Sequence, residues 1–332
     1  MCQMYKIPEF IGPFKDILPN FINYQRSLGY DYQKATVLRF KALDTFLSKH
    51  GYSTVEMTQE MFDLWMAKRG NETHTNQGKR CSTFTVLAKY LASIGYDNIF
   101  VPIVANNRMW KSNFAPYIFS HDEITSIFRA ANKIDNLTYV DTPTFIVMLA
   151  VLYTCGLRVS ELLNIKLQNI NFTTGAIQIL NSKNHASRLI VASDSLREKL
   201  TEYHLNYICP VNGEYFFRTT NNVRVPYSTF RTLYHRSLAL AGVQKKDNCR
   251  YKYPRIHDLR HTFAVHSLAK MVSCGYDTYT SLPLLSKFLG HKHITETEYY
   301  LRFTEENYDN VKILTDNIYQ DVFPKVVVRD GE

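Results

Sequence analysis

The chain has 332 residues, 45% of them hydrophobic, which is enough for two domains that each bury a core of their own. Its formal net charge of +9 favours an anionic partner, since basic side chains release counterions from a phosphate backbone. Six cysteines without a C-x-x-C pair argue against a disulfide framework and against a zinc site. We find neither a signal peptide nor an apolar run of about 18 residues, which argues against a membrane protein. We therefore expect a cytoplasmic protein.

The N-terminal third has the periodicity of helices. Apolar residues at three- and four-residue spacing predict two helices separated at Gly29–Asp31, a short helix through Trp65 that Gly70 and Asn71 should stop, and a fourth from about Thr75 to Ile94. The fourth helix carries Lys79 and Arg80, which we place opposite its apolar side as candidate DNA contacts. A solvated helix face is the alternative explanation for any single one of these basic residues.

We assign residues 1–105 to this helical domain, and a linker follows it. The helical period is lost in a stretch that contains two adjacent asparagines and ends in proline, and we place the linker at residues 106–118. Its Arg108 and Lys111 are candidate contacts to a phosphate backbone.

Beyond the linker, helical patterns alternate with short β-like runs. A capping box at Ser120 begins one helix, and an apolar helix that ends at Cys155 is followed by Gly156, which allows a change of direction that presents Arg158 at the next helix start. The runs that follow predict a small antiparallel sheet with Lys183 at a hairpin tip: Asn169–Phe172, Ala176–Leu180 and Arg188–Val191.

The last third returns to helical patterns. The predicted segments are Ser193–Tyr207, Tyr227–Ala241, Phe263–Met271, Leu284–Leu289 and Thr295–Leu301. Between and around them stand Arg255-Ile-His257-Asp-Leu-Arg260-His261, then Leu289-Gly290-His291, then Tyr299-Tyr300. Histidines, arginines and a phenol suit a phosphodiester, because donors can hold its non-bridging oxygens while a nucleophile attacks phosphorus. A lone His-x-x-Arg is a weak signal, since such pairs are common by chance.

The order of five elements is more specific, and it resembles the signature of the tyrosine recombinases, the phage-integrase and Xer-like family. The elements are Thr154-Cys-Gly-Leu-Arg158-Val-Ser-Glu161-Leu, Lys183 in a β-turn, His257-Asp-Leu-Arg260-His261-Thr-Phe-Ala, Leu289-Gly-His291, and Tyr300 nine residues after His291. The resemblance implies a mainly α fold with a small antiparallel β-sheet, that is, an α+β catalytic domain over residues 119–304. With the preceding helical core-DNA-binding domain it would form a two-domain clamp on DNA.

The resemblance also assigns chemical roles to the basic residues. Arg158 and Arg260 would fork onto the non-bridging oxygens of the scissile phosphate, where planar guanidinium groups match phosphate geometry. Glu161 would orient an arginine, although an ordinary helical ion pair with Arg158 explains the same spacing. His261 would support the site or simply pack in the core.

The remaining roles concern proton transfer and the nucleophile. His257 would help to accept the tyrosine proton, His291 would donate to a phosphate oxygen, and Lys183 would protonate the leaving 5′-oxygen. Tyr300 would attack, with Tyr299 pointing elsewhere because successive helical residues diverge by about 100°. Lys166 and Arg188 lie close enough in sequence to be alternatives to Lys183.

The partners implied are double-stranded DNA and three further copies of the chain, in a homo-tetramer on two DNA sites, with accessory DNA-bending proteins or a sister recombinase as additional candidates. No cofactor and no metal are expected, since the phosphotyrosyl bond conserves the phosphodiester energy and arginines supply the electrostatics. Residues 305–332 form a C-terminal tail that would pack on a neighbouring protomer, the alternative being a strand that completes the sheet of its own protomer or a frayed end. Alternatives to a recombinase of a mobile element or phage are a type IB topoisomerase, which relaxes DNA without exchange, and a catalytically silent DNA-binding protein.

Overall fold

The structure is a computed structural model, and it describes residues 4–103, 115–134, 139–180, 187–208, 213–245, 252–291 and 293–298. The chain divides into two units, Met1–Phe114 and Ala115–Glu332, and each has its own hydrophobic core. The predicted linker at 106–118 falls at this division, with residues 106–114 outside the described ranges. The expected limits of the domains therefore stay predictions.

Four helices make up the described part of the first unit: α1 (Leu18–Ser27), α2 (Lys34–Lys49), α3 (Gln59–Met66) and α4 (His74–Ser93). Their inner faces bury large aromatic side chains, namely Phe14, Phe21, Phe40, Trp65 and Phe84. The predicted separation at Gly29–Asp31 is confirmed, because α1 ends before it and α2 begins after it. The unit is a small helical domain, as the periodicity indicates.

The second unit is also mainly helical. Its helices are α5 (His121–Asn132), α6 (Thr142–Cys155), α7 (Val159–Leu163), α8 (Asp194–Tyr203), α9 (Tyr227–Leu240), α10 (Ile256–Ser273), α11 (Thr278–Leu289) and α12 (Thr295–Glu298). Helix α6 packs against α5, α8 and α10, and it buries apolar side chains on nearly every side, which include Phe145, Met148, Leu149 and Leu152. An all-apolar helix of this kind belongs at the centre of a domain.

A three-stranded antiparallel sheet completes the second unit. Its strands are β1 (Ile170–Asn171), β2 (Ala176–Ile179) and β3 (Arg188–Val191), paired in the order β1-β2-β3. Ile177 of β2 lies opposite Ile190 of β3, and both are buried in the core of the unit. The predicted fold class, mainly α with a small antiparallel sheet, is confirmed.

Two helices begin earlier than the apolar pattern predicts. Helix α10 starts at Ile256 rather than at Phe263, because the Asp258 carboxylate accepts a hydrogen bond from the backbone N–H of Arg255 and so caps the helix. Helix α11 starts at Thr278, capped by Asp277, and continues through Pro283, whereas the apolar pattern predicts a helix only from Leu284. The earlier start of α10 places the His-x-x-Arg motif on its first turns.

One helix is shorter than predicted. The pattern from Ser193 to Tyr207 predicts a single α-helix, whereas α8 ends at Tyr203 and the backbone continues as a π-helical turn from His204 to Ile208. In the described ranges, no helix has both the length and the apolar character needed to cross a bilayer.

Candidate active site

The end of helix α6 sets the position of Arg158. Gly156 ends the helix in a left-handed conformation with φ of 57°, and a Cβ atom there would lie 2.3 Å from Cδ1 of Phe263. Only glycine suits this combination of backbone and close packing. Two residues later Arg158 is the N-cap of α7, and its backbone N–H donates to Oε2 of Glu161 at 2.9 Å. The turn is thereby closed by a side chain of the motif itself.

The buried carboxylate of Glu161 is the centre of the site. Nη1 of Arg158 donates to its Oε1 at 2.8 Å, and Arg188 binds it with two parallel bonds, from Nη1 to Oε1 and from Nη2 to Oε2, both of 2.9 Å. Nη1 of Arg260 lies 3.9 Å from Oε2. Three guanidinium groups therefore share one carboxylate, which leaves an excess of positive charge.

The protonation state of Glu161 follows from these contacts. Burial by itself would raise the pKa of this carboxyl, but the hydrogen bonds and charge of Arg188, followed by those of Arg158, lower the pKa to about 2. Glu161 is therefore ionised at neutral pH and acts as a fixed anchor for the arginines.

Arg260 connects the ends of two helices. Its Nη1 donates to the carbonyl oxygen of Gly156 at 2.8 Å, and its Nη2 donates to the carbonyl of Leu289 at 2.6 Å. These carbonyls lie at the C-terminal ends of α6 and α11, where intrahelical partners are missing. Arg260 is only 1% exposed, so it is a rigid part of the site.

His291 follows the second of these helix ends. Gly290 ends α11 in a left-handed conformation with φ of 69°. The chain changes direction there, and His291 is the first residue after the turn. Nδ1 of His291 lies 2.8 Å from the hydroxyl oxygen of Thr297, which is fully buried on α12. This contact fixes the orientation of the imidazole ring.

His257 and His261 lie one turn apart on α10, with their rings in edge-to-face contact at 4.7 Å between centroids. Desolvation, followed by the charge of Arg260, lowers the pKa of His257 to about 4, although the residue is exposed to solvent. Burial and then His257 lower the pKa of His261 to about 3. Burial and then Arg260 lower the pKa of His291 to about 3. All three rings are neutral at pH 7 in the DNA-free protein.

Several predicted site residues lie outside the described ranges. They are Lys183, Tyr300, Arg108 and Lys111, and the predicted tail at 305–332 lies there too. The two alternatives to Lys183 are described, and both have other partners. Nζ of Lys166 forms an ion pair with Glu214, and Arg188 is bound to Glu161. These contacts favour Lys183, whose role stays a prediction.

The two DNA contacts predicted on α4 differ in their surroundings. Lys79 is exposed. Arg80 is buried, and the prediction that it lies on an exposed side is wrong: its guanidinium binds Glu72 and the backbone carbonyl groups of Trp65 and Ala67. The reason is helical geometry, because residues four apart, such as Arg80 and the core residue Phe84, share one face.

For two further residues of the site, the sequence analysis does not predict the position that the structure gives: Arg188, which it names only as an alternative to Lys183, and Thr297. Arg188 has a detectable signal, since strand side chains alternate and the residue two before the inward Ile190 must also point inward. Thr297 has no such signal, because its contact with His291 depends on the position of α12. The described ranges contain no cluster of three or more histidine, cysteine, aspartate or glutamate side chains arranged to hold a metal ion.

Residues 118–307 match the profile of the phage integrase family, and this span includes every residue of the site. The chain is 25% identical over 308 residues to a candidate integrase/recombinase, y4rB of Sinorhizobium fredii, which covers 89% of this chain and 95% of that protein.

Solved structures share the fold. The XerH site-specific recombinase, bound to a palindromic difH substrate in a post-cleavage complex, aligns with a TM-score of 0.67 at 15% identity, over 95% of this chain and 100% of that one. A lambda integrase tetramer bound to a Holliday junction aligns with a TM-score of 0.59 at 16% identity, over 85% and 75% of the two chains. At these identities the likeness concerns the fold alone.

Proposed function

The chain belongs to the phage integrase family, and on that premise we propose that it is a tyrosine-type site-specific DNA recombinase. It cuts and rejoins the DNA of a mobile element or phage through a 3′-phosphotyrosyl intermediate and a Holliday junction. The observation that carries the proposal is that Arg158, Arg260 and Arg188 surround Glu161, and that neutral histidines lie in the positive electrostatic field of these arginines. Such a site suits a phosphodiester, an anion that gains charge on its equatorial oxygens as it is attacked.

Arg158 and Arg260 bind the scissile phosphate and stabilise the pentacoordinate transition state. Arg158 keeps 19% of its side chain exposed while Glu161 holds its Nη1. Arg260 is held by two helix-end carbonyls, so its guanidinium needs no rearrangement when charge develops. Preorganised donors of this kind lower a barrier more than donors that must first be ordered.

The histidines act in their neutral form. A neutral His257 has a lone pair that can accept the proton of the attacking hydroxyl. If the hydroxyl of Thr297 donates to Nδ1 of His291, the ring hydrogen lies on Nε2, where His291 can donate to a phosphate oxygen. The bound phosphate partly offsets the arginine charges, so the pKa of each ring rises when DNA binds.

Tyr300 is the nucleophile and Lys183 the general acid of this proposal. Both assignments rest on the sequence pattern, in which Tyr300 lies nine residues after His291 and Lys183 lies between β2 and β3. The tyrosine oxygen forms a bond to phosphorus, the bond to the 5′-oxygen breaks, and Lys183 supplies the proton to that oxygen. Attack by a 5′-hydroxyl reverses the step, so no nucleotide cofactor is consumed.

Double-stranded DNA is the substrate, and a homo-tetramer on two sites carries out the exchange. The net charge of +9 supports a DNA partner, and the lambda integrase tetramer on a Holliday junction is a precedent for the assembly in this fold. Exposed Lys79 is a contact of the first unit with the phosphate backbone. The tail at 305–332 packs on a neighbouring protomer, so deletion of the residues after Asp321 should abolish cooperative pairing of two sites. A DNA substrate agrees with the expected cytoplasmic location.

A recombination assay tests this proposal. A supercoiled plasmid carries two directly repeated copies of the DNA that flanks the gene, and it is incubated with the full-length protein and, in parallel, with Arg158→Lys. We expect two smaller circles from the wild type and none from the variant. Relaxed circles of unchanged size would instead support the type IB topoisomerase alternative, which family membership disfavours. DNA binding without any change of topology would support a catalytically silent protein.

A further inference from the structure

Arg188 makes three hydrogen bonds within the site, but the proposed mechanism gives it no role. It begins strand β3, and its side chain is 11% exposed. Its two terminal nitrogens bind both oxygens of Glu161 at 2.9 Å, and its Nε donates to the carbonyl oxygen of Phe288, also at 2.9 Å. One planar group therefore joins the sheet, helix α7 and the end of helix α11.

The partners of Arg188 each hold a different part of the proposed machinery. Glu161 binds both the side chain and the backbone N–H of Arg158. Phe288 lies three residues before His291, in the last turn of α11. The distance between a phosphate-binding arginine and a phosphate-binding histidine thus depends on a connection that passes through Arg188.

We infer that Arg188 is a positioning residue, which fixes Arg158 and His291 relative to each other by binding Glu161 and the C-terminal end of α11. The inference rests on the proposed function, since it assigns Arg188 to the same phosphate site. Arg188 itself need not touch DNA to do this.

The packing around Gly290 shows how closely this connection is fitted. A Cβ atom at Gly290 would lie 3.1 Å from both Cδ and Nη1 of Arg188, so the guanidinium packs directly on the turn that leads to His291. A shift of the Arg188 side chain would be felt at that turn, since interiors of this density transmit displacement.

The chemistry requires arginine. The fork geometry of a guanidinium satisfies both oxygens of a carboxylate while Nε reaches a third acceptor, whereas a lysine ammonium is a point charge on a flexible stem. Arg188→Lys keeps the charge but cannot keep all three bonds. Lys183 lies only five residues before Arg188 in the sequence. The position of Arg188 at the start of β3 therefore also limits where Lys183 can lie.

Two readouts on the full-length protein test the inference. The first is the single-turnover rate of covalent complex formation on a nicked duplex from the flanking DNA, measured at saturating protein together with the Kd for the same duplex. The second, which needs neither DNA nor catalysis, is the spectrum of the ring nitrogens of His291 in protein labelled with ¹⁵N-histidine. The variants are Arg188→Lys and Arg188→Gln.

Arg197→Lys is the matched control. Arg197 also combines an ion pair, to Asp194, with a bond to a backbone carbonyl, that of Thr173, but it lies on α8 away from the site. The melting temperature of each variant shows that measurements are made on folded protein.

We expect Arg188→Lys to lower the cleavage rate by roughly 10-fold to 100-fold, as small displacements of reacting groups do, with the Kd for DNA changed less than about 3-fold. Arg188→Gln should lose at least as much, both variants should shift the His291 ring nitrogens, and Arg197→Lys should match the wild type. Wild-type rates and an unchanged His291 spectrum in Arg188→Lys would overturn the inference. If the wild type itself forms no covalent complex on DNA that it binds, the proposed function fails, and the His291 spectrum alone then decides for or against Arg188.

Discussion

The ring Nδ1 atom of His291 lies 2.8 Å from the hydroxyl oxygen of Thr297, a side chain with no exposed surface. Thr297 belongs to α12, which ends two residues before Tyr300. The histidine proposed to contact the phosphate is therefore bound to the helix that leads to the proposed nucleophile. A hydrogen bond to one ring nitrogen determines which tautomer the other presents, so Thr297 sets the chemistry available to His291.

Removal of this hydroxyl should slow cleavage. Thr297→Val keeps the shape of the side chain but removes the hydroxyl that lies 2.8 Å from Nδ1 of His291, so the ring can take the other tautomer. We expect a loss of roughly 10-fold in the single-turnover cleavage rate and of about 1 kcal/mol in the free energy of unfolding. Thr297→Ser retains the hydroxyl and should keep most of the rate, so equal cleavage by the Val and Ser variants would show that the hydrogen bond has no catalytic role.

Stability should fall on mild acidification. The pKa values of His261 and His291 are lowered to about 3 in the folded protein, while an unfolded histidine titrates near 6.5. Between these values the unfolded chain binds more protons, so the stabilisation is complete above about pH 6.5 and is lost as the pH falls toward 3.

Thermal unfolding at pH 8, 6 and 5 measures this effect in the absence of DNA. We expect a loss of roughly 2 kcal/mol per histidine at pH 5, and a smaller loss for His261→Asn than for the wild type. A melting temperature that stays constant from pH 8 to 5 would contradict the lowered pKa values. The interval lies above the range in which Glu161, with a pKa of about 2, takes up its proton.

Gly156→Ala should be strongly destabilising. The substitution meets two penalties, the left-handed φ of 57° and a Cβ position 2.3 Å from Phe263. Gly242 is a matched control, since its φ is 71° but no atom lies within 4 Å of its Cβ position. Urea unfolding should show a loss of about 1 kcal/mol for Gly242→Ala and of about 2 to 4 kcal/mol for Gly156→Ala. Equal losses at the two positions would mean that Phe263 moves aside without cost.

Neighbouring basic residues on α4 should respond in opposite ways to the same substitution. Lys79→Met should change the free energy of unfolding by less than about 0.5 kcal/mol. It should weaken DNA binding and lower the salt dependence of the binding constant by the amount expected for about one phosphate contact. Arg80→Met leaves Glu72 buried without its partner and should cost about 3 kcal/mol. DNA titrations at several salt concentrations and urea unfolding measure the two effects, and DNA binding by Lys79→Met equal to that of the wild type would remove Lys79 from the interface.

Local motifs could be predicted from the sequence because their geometry is local. The break after Cys155 follows from Gly156. The sheet is predictable for the same reason, since Ile177 and Ile190 lie in short apolar runs separated by turn residues.

The remaining features depend on contacts between distant segments. Arg260 binds carbonyl groups 104 and 29 residues away in sequence, and Arg188 binds Phe288 across 100 residues. No periodicity encodes such partners. Arg80 is a second case that the sequence does not predict. A basic residue is expected to be exposed to solvent, and the burial of Arg80 is explained only by its ion pair with Glu72.

The identity of the nucleophile is the most direct test of the proposed recombinase. The wild type, Tyr300→Phe and Tyr299→Phe are each incubated with a duplex that carries a nick beside the cleavage position, and protein linked to DNA is then separated under denaturing conditions. We predict a covalent complex with the wild type and with Tyr299→Phe and none with Tyr300→Phe. A complex that persists in Tyr300→Phe would contradict the proposed nucleophile, and its absence from the wild type on DNA that it binds would contradict tyrosine catalysis altogether.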